Sequence, residues 1–112
     1  MIINRHRGEV LARLDGKEFR LCLTLGALAE LEATFAVDDI ATLAERFSTG
    51  RLSSSDMLKL IAAGLRGAGN SLSNDEIAAM QADGGATGYA RIVGELLTAT
   101  FGSLEEPAAQ DG

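Results

Sequence analysis

Acid–base or nucleophilic catalysis needs a group of tunable ionisation held within hydrogen-bond reach of a second group that activates it. This sequence holds one histidine, His6, and one cysteine, Cys22. One of each falls short of the ligand set of the usual zinc sites. His6 lies near the N-terminus among Asn4, Arg5 and Arg7, where an imidazole is solvated. Cys22 belongs to a run of alternating residues that sets it across from Glu9, and a neighbouring carboxylate opposes thiolate formation. Its expected role is that of a small buried filler; a redox or hydrolytic role is the alternative from the enzyme class. The acidic pairs Glu30/Glu32, Asp38/Asp39, Asp75/Glu76 and Glu105/Glu106 are explained by helix caps, by the favourable field at helix N-termini or by solvated faces. Glycine backbones can cradle phosphates, but Gly64-Leu65-Arg66-Gly67-Ala68-Gly69 ends a helical pattern and lacks the Lys-Ser/Thr pair. It is expected to be a helix stop with a flexible connection. No catalytic residue, cofactor site or metal site is expected.

The elements that would carry any site are marked by hydrophobic period. From Gly8 to Leu23 the period is two, interrupted by Asp15-Gly16, a dipeptide suited to the positive φ angles of a type I′ turn. A two-residue loop pairs Leu14 with Lys17, Arg13 with Glu18, Ala12 with Phe19 and Val10 with Leu21. One face then holds Val10, Ala12, Leu14, Phe19, Leu21 and Leu23. The other holds Glu9, Arg13, Glu18 and Arg20, with Leu11 and Cys22 interrupting it.

After Leu23 the period becomes helical. Thr24 is the expected cap of a helix over 25–36, and Asp38 or Asp39 that of a helix over 39–49. Ser53 with Asp56 forms a capping box for 54–66, and Ser73 with Glu76 one for 74–83, stopped by Gly84-Gly85. Thr87 is the expected cap of a last helix over 88–101. The predicted class is α+β: a two-stranded antiparallel hairpin on a bundle of four to five short helices. Residues 1–102 are read as one domain and 103–112 as a loose acidic tail.

The chain has 112 residues, of which 46% are apolar, and a formal charge of −6. That is enough apolar content for a core without disulfides or metals. The acidic balance repels phosphate backbones and anionic headgroups, so neither nucleic acid nor membrane is an expected partner. A lone cysteine fits a reducing compartment, and no targeting or membrane-spanning stretch is evident; the expected location is the bacterial cytoplasm.

A two-stranded sheet exposes unpaired backbone groups along its edges and so offers another chain a template. The candidate partner-binding residues are therefore those of the hairpin edge and outer face: Glu9, Leu11, Arg13, Glu18 and Arg20. Self-association through the same edges is a further expectation.

Several segments in order carry a family resemblance: Asn4-Arg5-x-Arg7-Gly8-Glu9-Val10, Leu14-Asp15-Gly16-Lys17 and Leu23-Thr24-Leu25-Gly26-Ala27-Leu28-Ala29-Glu30-Leu31-Glu32. The likeness continues through the glycine-rich segment 63–69, the capping-box helix from Ser73 to Met80, and Leu96-Leu97-x-Ala99-x-x-Gly102 around Phe101. The chain resembles the tail assembly chaperones of gene transfer agents and related tailed phages, a family also labelled tail tube proteins. The resemblance implies a non-enzymatic role in building a phage-like tail, with the tape-measure protein and other tail proteins as partners. It leaves open whether the protein departs as a chaperone or stays as a permanent tube or minor tail component. The chaperone is preferred, because a tube subunit is expected to carry more strand than one hairpin.

Overall fold

The computed structural model describes residues 8–102. Strand β1 (Glu9–Leu14) and strand β2 (Lys17–Cys22) form an antiparallel hairpin in the predicted register, with Arg13 opposite Glu18 and Leu11 opposite Arg20. Asp15 and Gly16 both have positive φ, 55° and 75°, the combination a type I′ turn requires. The inward face holds Val10, Ala12, Leu14 and Leu21, all buried, with Phe19 half-buried.

Five helices follow: α1 (Leu25–Phe35), α2 (Ile40–Ser48), α3 (Ser54–Gly67), α4 (Asn74–Ala79) and α5 (Gly85–Phe101). Thr24 caps α1 by accepting from the Ala27 N–H, and Asp39 caps α2 by accepting from the Thr42 N–H. The Asp39 carboxyl is held below its ordinary pKa, first by the Thr42 backbone N–H and then by the Thr42 side chain. Both capping boxes form, at Ser53/Asp56 and at Ser73/Glu76. Helix α3 is central: Leu60, Ile61, Ala62, Ala63 and Leu65 are buried, and it meets β2, α1, α4 and α5. The core is one contiguous cluster that also takes Leu31 from α1, Leu43 and Phe47 from α2, and Ile92, Val93 and Leu96 from α5. Phe35 meets Phe47 edge to face at 5.3 Å, with the Arg46 guanidinium 4.6 Å above the Phe35 ring.

The C-terminal half departs from the predicted bounds. Helix α4 ends at Ala79, not at residue 83, because Met80 is extended and the chain from there pairs with the hairpin turn. The Asp15 N–H donates to the Gln81 carbonyl at 2.8 Å, the Gln81 N–H donates to Asp15 Oδ1 at 2.9 Å, and Leu14 bridges Ala82. Met80 and Ala82 are buried as a result, and the Tyr89 hydroxyl donates to the Met80 carbonyl. Gly84-Gly85 does not stop a helix; it starts one. Gly84, at φ 89°, is the N-cap of α5, so Thr87 is not the cap and α5 begins three residues before the expected Gly88. The remaining helix ends fall within one residue of prediction, the ordinary scatter of helix termini. His6 and the expected tail over 103–112 lie outside the described residues.

Candidate partner-binding surface

Among the described residues no group of three His, Cys, Asp or Glu side chains could hold a metal ion. Cys22, the one cysteine of the sequence, is half-buried and opposite Glu9. The segment Gly64–Gly69 is no phosphate cradle and only partly a flexible connection, since two of its glycines are packing contacts inside α3. A Cβ on Gly64 would stand 3.0 Å from Leu96 Cδ2, and one on Gly67 would stand 2.1 Å from the Cys22 carbonyl oxygen. These glycines let α3 lie directly on the end of β2.

The five nominated residues do share one surface. Register places Glu9, Leu11, Arg13, Glu18 and Arg20 on the outer face of the hairpin, with Arg13, Glu18 and Arg20 exposed and Glu9 and Leu11 half-buried. Arg13 and Glu18 are cross-strand neighbours, but the guanidinium turns elsewhere. Its NH2 donates to the Gly16 carbonyl at 2.7 Å and its Nε lies 3.4 Å from Asp83 Oδ2. Exposed ion pairs of this kind contribute little to stability.

The edges are less available than the sequence suggests. Residues flanking a two-residue hairpin loop exchange both backbone hydrogen bonds, and the alternation continues along the ladder. Outward groups therefore belong to Glu9, Leu11 and Arg13 on β1 and to Glu18, Arg20 and Cys22 on β2. The Arg13 carbonyl accepts from the Asp83 N–H at 3.4 Å and the Arg20 carbonyl from Asn70 Nδ2 at 3.0 Å. At Cys22 the C-terminal end of α3 closes the edge. Arg13, Arg20 and Cys22 are thus engaged by other parts of the chain, which interrupts the edge beside Leu11 on β1 and beside Glu18 on β2.

A surface that hairpin reasoning missed lies beside α5. A groove of about 410 Å³ runs between this helix and the α2–α3 turn, walled by Phe47, Leu52, Met57, Val93 and Leu97 and floored at Gly94. Its signal was present in the sequence. Helix α5 carries only Arg91 and Glu95 as charges, and Ala90, Gly94 and Thr98 recur at a spacing of four, which aligns small residues along one helix face. A second groove, of about 230 Å³, flanks β1 on the other side of α5, lined by Leu11, Arg13, Asp83, Arg91 and Glu95.

Among the described residues no helix is long and apolar enough to cross a membrane. A family model described as phage tail tube protein, GTA-gp10, matches residues 7–103. No curated protein and no solved structure matches the chain.

Proposed function

The chain belongs to the GTA-gp10 phage tail tube family, a tail-related protein of phage-like particles, and from that premise we propose that it is a non-enzymatic tail assembly chaperone of a gene transfer agent or prophage. On this reading it binds the tape-measure protein in the cytoplasm while the tail assembles and is released as tube subunits take its place. The observation that carries the choice is the sheet. It has two strands, whose edges are interrupted by Asp83, Asn70 and the end of α3, and so it offers little continuous backbone with which to close a ring of subunits. The apolar groove beside α5 supplies a seat for a helical client.

The family's own description favours a second reading, in which the protein stays in the particle as a tube or minor tail component. Two measurements separate them. Co-expression with the tape-measure protein is expected to yield a complex by affinity capture, and mass spectrometry of purified particles is expected to find the chain absent or far below stoichiometric. Stoichiometric retention in particles overturns the chaperone in favour of the structural component. Failure to form any complex overturns tape-measure binding.

A further inference from the structure

We propose that the outward face of α5 is a contact between two copies of this chain, packed antiparallel about Gly94. Successive helical residues turn by about 100°, so Thr87, Ala90, Gly94, Thr98 and Phe101 fall within about 40° of one line along the helix. All are exposed except Phe101, which is half-buried. Among the described residues nothing lies within 4 Å of where a Gly94 Cβ would stand. A second helix can therefore approach the α5 backbone closely at this point, as small residues permit.

The two flanks of the face differ, and the difference selects the occupant. One flank is apolar: Leu97 borders the groove whose far wall is Leu52 and Met57. The other, toward β1, carries Arg91 and Glu95, and among the described residues neither has an ion-pair partner. An isologous contact requires the surface to be complementary to itself. In an antiparallel pair related by a two-fold axis each flank meets its own copy. Arg91 of each copy then meets Glu95 of the other, and the two apolar flanks meet across the opposite side. A second copy satisfies both charges at once, whereas an unrelated apolar helix would leave them unpaired. The contact also accounts for an exposed helix face almost without charge on a chain of net charge −6. The contact covers the groove assigned above to a helical client, so on that reading client and second copy compete for this face.

Sedimentation equilibrium of the full chain from micromolar to several hundred micromolar tests this. The wild type is expected to form a reversible dimer. Arg91→Glu and Glu95→Arg are each expected to weaken it at least tenfold while leaving the thermal melt unchanged at dilutions where the wild type is monomeric. An equimolar mixture of the two single variants is expected to regain the dimer as a heterodimer, and the double variant R91E/E95R to regain it alone. A wild type monomeric throughout overturns the proposal, whether the face is then covered by the chain's own terminal residues or by another protein. A dimer insensitive to both charge variants, or one the mixture fails to restore, overturns it equally.

Discussion

Gly67→Ala puts the smallest possible side chain at the tightest contact between α3 and the hairpin. Built on the observed backbone, the new Cβ stands 2.1 Å from the Cys22 carbonyl oxygen, 3.3 Å from its carbon and 3.4 Å from Thr24 Oγ1. An ordinary contact needs more than an ångström of additional separation, and the colliding atoms are backbone, so the end of α3 must move as a body away from β2. Overpacking of this kind costs about 1–3 kcal/mol. Replacing glycine by alanine in a helix interior returns up to about 1 kcal/mol, and less at the last residue of α3. The expected net loss is about 1–2 kcal/mol from a total of about 5–15 kcal/mol. For a chain of this size that is a fall in melting temperature of about 5–10 °C. Gly26→Ala, in the first turn of α1 with nothing nearer than Thr24 Oγ1 at 4.0 Å, is the matched control and is expected to be neutral or slightly stabilising. Thermal and urea melts of both variants at one dilute concentration provide the assay. A Gly67→Ala protein as stable as the wild type would refute the claim that α3 rests on the strand backbone at this point.

Asp15→Ala removes a residue that tolerates φ 55° and the carboxylate that accepts from the Gln81 N–H. A loss of about 1–3 kcal/mol is expected, with faster amide exchange at Gln81 by NMR, and unchanged exchange there would count against the pairing of Gln81 with the hairpin turn. Leu21→Ala, fully buried on the inner hairpin face, is expected to cost about 2–5 kcal/mol, and Leu11→Ala on the outer face less than about 1 kcal/mol; equal losses in urea titrations would mean the register is wrong. Asp39 has a depressed folded-state pKa relative to its ordinary 3.8. Its cap therefore contributes above that value and fades as pH falls through the lower folded value. The stability gap between wild type and Asp39→Asn is expected to narrow on acidification, and a gap constant with pH would contradict the charged cap.

The elements legible in the sequence are those governed by groups a few residues apart. Asp15-Gly16 sets the turn, and with it the whole cross-strand register, because a period of two leaves no other way to bury Val10, Leu14 and Leu21 together. Thr24, Asp39, Ser53 and Ser73 each cap by a bond to the third residue onward, chemistry that needs no distant partner. The candidate surface was legible only by half. The outer hairpin face assembled as expected, whereas the α5 groove, lined by Val93 and Leu97 of that helix, went unread because it exists only where α5 meets the α2–α3 turn.

Composition and local spacing determined the class of this protein, its hairpin and the starts of its first four helices. Tertiary structure decided where α4 stops and α5 begins, which glycines are contacts, and how much strand edge is left. The reason is range. A capping side chain reaches its target within one turn of the same helix, but the bond from Gln81 to Asp15 spans 66 residues, and the approach of Gly67 to Cys22 exists only once α3 lies across the sheet. No local periodicity encodes the space between two backbones.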